Sequence, residues 1–223
     1  MRPIVVTGTD TGVGKTIVTA ALAAAGAARG LRVAVVKPTQ SGLGPDGVSD
    51  MDIVTQLAGV HTRELVRYPD PLAPLTAARV SNQPELSLGS TVDAIRKLDH
   101  DLVLVEGAGG LLVAMGEGGW TIADLTRELN ARCVVVTRPD LGTLNHTALT
   151  LEALARRELD AHLVIGSWPR RPELVHHTNL DDLPPWVGKL PENAGTLPVR
   201  EFRERASGWF IPGFLAGLFA REA

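Results

Sequence analysis

At 223 residues, the chain is long enough to bury one substantial hydrophobic core, and we expect a single domain over residues 1–223. Hydrophobic residues make up 44% of the chain and charged residues 21%, which is typical of an ordinary soluble globular protein. The formal net charge of −3 gives no reason to expect nucleic acid as a partner.

Short β-branched runs alternate with helical patterns along the chain. The strand candidates, in chain order, are Ile4–Thr7, Arg32–Lys37, Asp101–Glu106, Cys133–Thr137, His162–Ile165 and Trp186–Leu190. The helix candidates are Thr16–Arg29, Asp50–Leu57, Leu88–Leu98, Thr121–Leu129 and Asn145–Arg156. Several strands are continuously apolar, as parallel strands covered on both faces are. The alternation predicts an α/β fold, a doubly wound and mostly parallel sheet with helices on both faces.

Two long connections and the C-terminal region stand apart from this alternation. Residues Thr39–Asp50 are rich in Gly, Pro and Ser, and Arg67–Leu88 is rich in proline with few periodic apolar residues. Loops this long in a compact domain are usually functional or disordered. The segment Trp209–Phe219 has an apolar helical stripe, which could lie on a membrane surface or pack on the core or on a second subunit. Packing is favoured, because the polar face lacks the Lys and Arg of membrane-surface helices.

Cysteine usage and the absence of export signals indicate a cytoplasmic protein. The single cysteine, Cys133, excludes an intrachain disulfide, and its place in an apolar strand favours a core residue over a nucleophile. No apolar run approaches the roughly 18 residues that a membrane-spanning helix needs. The N-terminal apolar stretch is short and ends in Thr7-Gly8, unlike a signal peptide. We therefore expect no membrane partner.

The first strand candidate runs directly into a phosphate-binding motif, Gly8-Thr9-Asp10-Thr11-Gly12-Val13-Gly14-Lys15-Thr16, which a helical run follows. In such a loop, backbone N–H groups and a helix N-terminus face one anion. Lys15 would reach the β- and γ-phosphates, and the Thr16 hydroxyl would ligate Mg²⁺. The first glycine lies one residue earlier than the strict P-loop pattern requires, and Thr9 stands in its place. The alternative is an ordinary glycine-rich turn with a solvated lysine.

Three further charged side chains follow strands or loops at the same edge of the predicted sheet, where ligands of such folds bind. Glu106 closes an apolar strand and could bind Mg²⁺, or it could face solvent before the glycine-rich turn. Asp50 could ligate the same Mg²⁺ or only favour the helix macrodipole. Lys37 could hold an anionic intermediate or be a solvated lysine at a strand end.

A last strand–loop–helix passage runs from Thr137 to His146. Its Gly142-Thr143-Leu144-Asn145 opening could present N–H groups to a substrate carboxylate. Alternatively, Thr143 only caps the helix that begins there. The sequence leaves both interpretations open.

With these motifs in order, the chain resembles the dethiobiotin synthetases, the ATP-dependent enzymes that close the ureido ring in biotin synthesis. The resemblance covers nearly the whole chain and is loosest after Pro191. Its most specific parts are Gly8–Thr16, Lys37-Pro38 with Ser41, Val105–Gly110 and Gly142–His146.

The resemblance implies a reaction and a set of roles. The substrates are 7,8-diaminopelargonic acid, CO₂ and MgATP, and the products are dethiobiotin, ADP and phosphate, formed through a carbamate and a carbamic-phosphoric anhydride. The enzyme is expected to be a homodimer in which the loop Leu141–Asn145 receives the substrate carboxylate of the opposite subunit. The implied residues are, for catalysis, Lys37, Lys15 and Thr11; for the nucleotide, Thr9, Asp10, Gly12, Val13, Gly14, Lys15, Thr16, Glu106, Gly166 and Ser167; for Mg²⁺, Thr16, Asp50 and Glu106; and for the substrate, Thr11, Ser41, Gly109, Gly142, Thr143, Leu144 and Asn145.

Two positions depart from the pattern of this family. Many relatives carry Glu where this chain has Gly12, so contacts to the diamine are expected to differ. Many also have an adenine-reading Asn after the fifth strand, where this chain has Gly166. Without an amide side chain there, base discrimination should weaken, and we expect the use of other nucleoside triphosphates, CTP included.

Two other protein classes share the phosphate loop. ATP-using domains of cobyrinate-type amidotransferases carry a second domain with a catalytic cysteine, which this chain does not match. Partitioning and positioning ATPases are switch proteins with an extra lysine early in the loop, where this chain has Asp10. The apolar C-terminal segment is the one feature that favours a switch protein.

Overall fold

The computed structural model describes residues 2–43 and 47–220, so part of the predicted loop Thr39–Asp50 lies outside the described residues. Seven parallel strands form one sheet in the order β3-β2-β4-β1-β5-β6-β7. The strands are β1 (Ile4–Gly8), β2 (Val33–Ser41), β3 (His61–Tyr68), β4 (Leu102–Glu106), β5 (Arg132–Thr137), β6 (Ala161–Trp168) and β7 (Trp186–Pro191). The predicted parallel sheet is thereby confirmed.

Helices cover both faces of this sheet, as the sequence predicts. They are α1 (Lys15–Ala27), α2 (Asp50–Ala58), α3 (Pro74–Val80), α4 (Leu88–Arg96), α5 (Ile122–Glu128), α6 (Thr143–Ala155), α7 (Leu174–Asp182), α8 (Val199–Arg205) and α9 (Phe214–Leu218). One core cluster joins α1, α2, α8 and α9 to the sheet, and the other joins α4, α5 and the end of α6 to the opposite face. Strand β1 is buried throughout, since both clusters cover it.

The predicted bounds of the second strand were wrong. Strand β2 continues past Lys37 to Ser41, because it pairs there with β3, although its pairing with β4 ends at Val36. Lys37 therefore lies inside a strand and not at its end. Strand β3 was missed altogether: it is an edge strand of sequence HTRELVRY, whose charged side chains are tolerated because only one side is paired.

The proline-rich stretch Arg67–Leu88 was also not one long loop. Its start belongs to β3, and Pro74 opens the short helix α3 at a position where a missing N–H costs nothing. The Tyr68 hydroxyl donates to the carbonyl oxygen of Pro84 at 2.8 Å, which ties the two ends of the stretch together. Helix α7 and helix α8 were missed as well, because their mixed polar sequences carry weak periodicity.

The C-terminal apolar segment packs on the chain's own core. Phe210 bridges to Gly188 of β7, and Leu215 and Leu218 of α9 are buried in the first core cluster. Arg132 donates to the carbonyl oxygen of Gly217 at 2.8 Å, which secures the end of α9. Within the described residues, no helix is long and apolar enough to cross a membrane.

Cys133 is a buried core residue in β5, as predicted. Burial raises the pKa of its thiol to about 12, so the thiolate is scarcely formed at neutral pH.

Candidate nucleotide and substrate site

The phosphate-binding motif forms a tight loop between β1 and α1. Gly12 (φ 73°) and Gly14 (φ 97°) both adopt left-handed backbone conformations, which explains why side chains are absent at these places. Gly14 caps α1, so that Lys15 and Thr16 occupy its first turn. The free N–H groups and the positive end of the helix dipole therefore point at the space above β1.

A buried cluster of charged side chains lies beside this loop. Lys37 Nζ is 2.8 Å from Glu106 Oε1 and 2.6 Å from Asp50 Oδ2. The Thr16 hydroxyl donates to the same Glu106 oxygen at 2.9 Å. The sheet register produces this meeting, because Lys37 and Glu106 each follow the paired residues Val36 and Val105 by one position. Asp50 lies in the first turn of α2, a position compatible with both of its predicted roles, ligation of Mg²⁺ and interaction with the helix macrodipole.

Lys37 keeps its charge at neutral pH. Burial lowers the pKa of its ammonium, but the combined attraction of Glu106 and Asp50 outweighs burial and raises the pKa above 10.5. The stabilisation from this charge is therefore fully present below pH 10.5 and is lost only as pH rises through the higher folded-state pKa. A permanent cation results, only 4% exposed, at the floor of the site.

Lys15 behaves differently, although it lies close by. Its Nζ donates to the carbonyl oxygen of Asp10 at 2.8 Å. Its pKa is lowered from 10.5 to about 8, chiefly by burial and also by the charge of Lys37, against the attraction of Glu106. Lys15 thus lacks a carboxylate partner of its own within hydrogen-bond distance among the described residues, and an incoming phosphate would supply the missing charge.

The donor set suits Mg²⁺. Glu106 Oε2 is buried without a hydrogen-bond partner among the described residues, so a polar ligand is expected there. Thr16 and Asp50 bring further oxygens to the same side. The described residues contain no group of three or more His, Cys, Asp or Glu side chains arranged around a metal. Such a site matches Mg²⁺, which takes one or two carboxylates and completes its shell with phosphate oxygens and water.

A cavity of about 600 Å³ opens above these groups. It unites the predicted residues Thr11, Gly12, Gly14, Lys15, Thr16, Lys37, Ser41, Asp50, Glu106 and Gly109. Its other wall is apolar and consists of the segment 71–74 with Val113. Sequence analysis missed this wall, because the prolines before α3 carry no motif. A pocket with cationic and carboxylate groups on one side and apolar groups on the other can hold a polar head with a hydrocarbon chain.

A second cavity of about 440 Å³ adjoins the first across the phosphate loop, and Gly12 and Gly14 line both. Its lining includes the predicted Gly166 and Ser167, together with residues that sequence analysis missed: Ile17, Ile53, Gln56, Leu57, Pro191, Asn193, Ala194, Gly195 and Thr196. No residue pattern marked Gln56 or the stretch 193–196, because they meet only through the fold. The two cavities are therefore continuous around the phosphate loop.

Gly166 is required by packing against the phosphate loop. A Cβ at this position would lie 2.0 Å from the carbonyl oxygen of Val13 and 2.7 Å from Val136 Cγ1. A Cβ on Gly14 would in turn lie 2.9 Å from the Gly166 oxygen. The side chain that could read a base at position 166 is thus excluded by the close approach of β6 to the loop.

The remaining predicted residues lie outside the first cavity. The Thr9 hydroxyl faces Thr137 at 3.3 Å, Asp10 forms an ion pair of 2.7 Å with Arg138, and Val13 is buried in the core. The stretch Gly142–Asn145 opens α6 at the surface and does not line the first cavity. The structure therefore does not bring these last residues together with the phosphate loop, and their predicted substrate role stays a prediction.

Fold and site together define a P-loop nucleotide-binding protein of the α/β class. Solved structures with this architecture include the septum site-determining protein MinD complexed with Mg-ADP from Pyrococcus horikoshii, at a TM-score of 0.57 and 20% identity over 100% of both chains. The MinC:MinD cell division protein complex from Aquifex aeolicus matches at a TM-score of 0.54 and 14% identity, over 95% of this chain and 98% of that one. At such identities the likeness is one of fold alone.

Sequence comparison defines the family. A family model described as an AAA domain matches residues 2–199. The ATP-dependent dethiobiotin synthetase BioD of Rhodococcus jostii is 52% identical over 230 residues, covering 99% of this chain and 100% of the relative. The enzyme of the same name from Frankia casuarinae is 52% identical over 231 residues, covering 100% of this chain and 97% of the relative. The chain belongs to the dethiobiotin synthetase family and is an ATP-dependent enzyme of biotin biosynthesis.

Proposed function

We propose that the chain carboxylates 7,8-diaminopelargonic acid with CO₂ and closes the ureido ring at the expense of ATP. One amine attacks CO₂ and loses a proton, which gives a carbamate. A carbamate oxygen takes the terminal phosphoryl group of ATP, and ADP leaves. The second amine then attacks the activated carbon, and phosphate leaves as the ring closes. The observation that carries this proposal is the Lys37–Glu106–Asp50 cluster, in which Lys37 and Glu106 are buried, where the phosphate loop meets the half-apolar cavity.

Each step needs charge neutralisation and positioning more than covalent help from the protein. Lys37 is a permanent cation that can hold the carbamate and the transferring phosphoryl group. Lys15 and the N–H groups of the loop bind the phosphates, and Thr11, Ser41 and Gly109 line the diamine side. Thr16, Asp50 and Glu106 would hold Mg²⁺, which adds positive charge at the phosphates.

A second copy of the chain completes the site in this proposal. Leu141 before α6 and Leu144 and Leu149 on it are 87%, 36% and 57% exposed, and a partner subunit could cover them. The Thr143 N–H donates to the carbonyl oxygen of Asp140 at 3.1 Å, whereas the N–H groups of Leu144 and Asn145 have no intrahelical partner and can bind the substrate carboxylate. We infer a homodimer in which Gly142, Thr143, Leu144 and Asn145 serve the partner's cavity. We also place the protein in the cytoplasm, where ATP and the diamine meet.

Base discrimination should be weak. Position 166 has no side chain, and the second cavity offers Ser167, Gln56 and Asn193 as its polar groups, which can donate to or accept from several bases. We therefore propose that CTP and other nucleoside triphosphates support the reaction besides ATP. Turnover with ATP, CTP and GTP under matched conditions tests this, and a large preference for ATP alone would contradict it.

The test of the activity is phosphate release with MgATP, bicarbonate and 7,8-diaminopelargonic acid, with each omitted in turn. Strict dependence on the diamine, and dethiobiotin detected by mass, is the expected result. Hydrolysis that ignores the diamine and gives no dethiobiotin would contradict the proposal and favour a switch protein with the fold of MinD. Asp10 already distinguishes the chain from that group, since it occupies the place of their additional lysine.

A further inference from the structure

A closed group of threonine hydroxyls links the phosphate loop to the start of α6. Thr137, the last residue of β5, lies at its centre, with Oγ1 2.8 Å from Thr143 Oγ1 and 2.9 Å from Thr147 Oγ1. The Thr9 hydroxyl of the phosphate loop is 3.3 Å from the same oxygen. Thr137, Thr143 and Thr147 are at most 1% exposed, so these hydroxyls depend on each other for hydrogen bonds.

The Thr137 hydroxyl is fully used by these contacts. A threonine oxygen can donate one hydrogen bond and accept two, and Thr137 has three hydroxyl neighbours. In a buried setting, hydrogen bonds of this kind are directional and resist displacement, because an unpaired hydroxyl is costly. The position of the first turn of α6 is therefore fixed relative to the phosphate loop through one side chain.

A second contact joins the same two loops at the surface. Asp10 forms a 2.7 Å ion pair with Arg138, which directly follows Thr137. The carbonyl oxygen of Asp10 also accepts the hydrogen bond from Lys15 Nζ. Lys15 would change this hydrogen bond when it moves onto a bound phosphate. The change would then reach Arg138 and the start of α6 through Asp10.

We propose that Thr137 is a positioning residue that sets the start of α6 for the substrate bound in the opposite subunit. The inference rests on the proposed homodimer, in which this turn receives the partner's substrate carboxylate. Each protomer then links its own nucleotide loop to its partner's diamine site through the Thr9–Thr137–Thr143 contacts. A valine at position 137 keeps the shape of the side chain but leaves the three surrounding hydroxyls without their common partner.

The first test compares Thr137→Val, Thr137→Ser and a matched control, Thr126→Val, in the intact dimer. Thr126 is also fully buried, but among the residues that the structure describes its hydroxyl bonds only to the carbonyl oxygen of Ile122 in its own helix α5, at 2.7 Å. We expect Thr137→Val to raise the KM for the diamine about tenfold, the loss that one hydrogen bond accounts for. The KM for MgATP should change little, and Thr137→Ser should restore the wild-type diamine KM.

Equal diamine KM values for Thr137→Val and Thr126→Val would overturn the inference, because both would then reflect general loss of stability. Failure of Thr137→Ser to restore the diamine KM would overturn it as well.

Mixed dimers locate the effect in one subunit or the other. Lys15→Gln removes the chemistry of its own nucleotide site, so a dimer purified by two different tags has one working site. When Thr137→Val is on the Lys15→Gln chain, the working site uses the altered α6, and its diamine KM should rise. When Thr137→Val is on the other chain, the working site uses a normal α6, and its diamine KM should match the wild type.

The reverse pattern, or equal KM values in both mixed dimers, would overturn the inference while leaving the activity established. A wild-type protein that forms no dethiobiotin from the diamine would instead refute the proposed function, and this inference with it.

Discussion

Lys37 and Lys15 both interact with the carboxylates of Glu106 and Asp50, but their pKa values shift in opposite directions. Lys37 has two carboxylate oxygens within 2.8 Å, and its pKa is raised; Lys15 bonds only to a carbonyl oxygen, and burial lowers its pKa to about 8. The direct contacts make the difference, since Glu106 and Asp50 both form ion pairs with Lys37, and Lys15 forms none with them. Lys37 is thus a fixed part of the site, whereas Lys15 gains most from a bound anion.

The lowered pKa of Lys15 predicts proton uptake when nucleotide binds. Above pH 8, the free protein holds Lys15 mostly neutral, and bound phosphates restore its charge by raising the pKa again. Nucleotide affinity should therefore fall as pH rises through about 8. Calorimetry at pH 9 in two buffers of different ionisation enthalpy should show uptake of about one proton per site.

Two variants identify the titrating group. Lys15→Gln should bind nucleotide weakly at every pH and without this proton uptake. Lys97→Gln, which removes an exposed lysine at the end of α4, should retain it. An uptake that persists in Lys15→Gln would assign the proton to another group.

Among the structural elements, the contact between β6 and the phosphate loop is the tightest constraint on the site. Gly166→Ala would place a Cβ 2.0 Å from the carbonyl oxygen of Val13, so the loop or the strand must shift. We expect nucleotide affinity to fall at least tenfold, because misplaced loop N–H groups lose phosphate contacts worth roughly 1.5–3 kcal/mol. Equilibrium binding of a nucleoside triphosphate measures this.

Gly89→Ala is the matched control, because a Cβ there meets nothing within 4 Å and lies inside helix α4. It should leave affinity unchanged and stabilise the helix by up to about 1 kcal/mol. Equal affinities of the two variants would show that the close approach of β6 does not control the loop.

The sequence predicted those elements whose patterns are local. Strands β1, β4 and β5 are continuous apolar runs, and the phosphate motif defines its own turn, so both were found. Strand β3 carries several charged residues, as an edge strand can, so its sequence could not be distinguished from that of a loop. The extension of β2 to Ser41 depends on that same strand and was missed with it.

The residues of the candidate site also divide into those that local sequence patterns predict and those that only the fold brings together. Lys15, Thr16 and Glu106 were predicted from strand ends and a motif, and the structure brings them together. The contact of Lys37 with both Glu106 and Asp50 depends on the register of β2 and β4 and on the position of α2. A sequence pattern predicts neither of them. Gln56 and Asn193 of the second cavity meet only because α2 and the turn after β7 pack near one another.

At the scale of the whole molecule, the site in one chain is incomplete in the proposed reaction. In the proposal the cavity would bind phosphates, metal and amines, whereas the predicted carboxylate-binding turn Gly142–Asn145 lies outside this cavity at the start of α6. Leu149 lies one to two turns further along the helix and is 57% exposed. A homodimer formed through α6 would explain both observations, because it would bury the exposed leucines and bring the turn of one chain to the cavity of the other.

The effect of a charge at Leu149 distinguishes this assembly from a working monomer. Leu149→Glu places a carboxylate in the proposed interface, where burial without a partner is costly, so the variant should sediment as a monomer at concentrations that keep the wild type dimeric. Nucleotide binding should survive, since the phosphate loop, Lys37 and Glu106 belong to one chain. The diamine KM should rise at least tenfold, because the carboxylate loses its partner turn.

Val80→Glu, at a 62% exposed position in α3, is the control and should leave both the sedimentation and the diamine KM unchanged. A monomeric Leu149→Glu that keeps the wild-type diamine KM would show that each chain binds the whole substrate by itself.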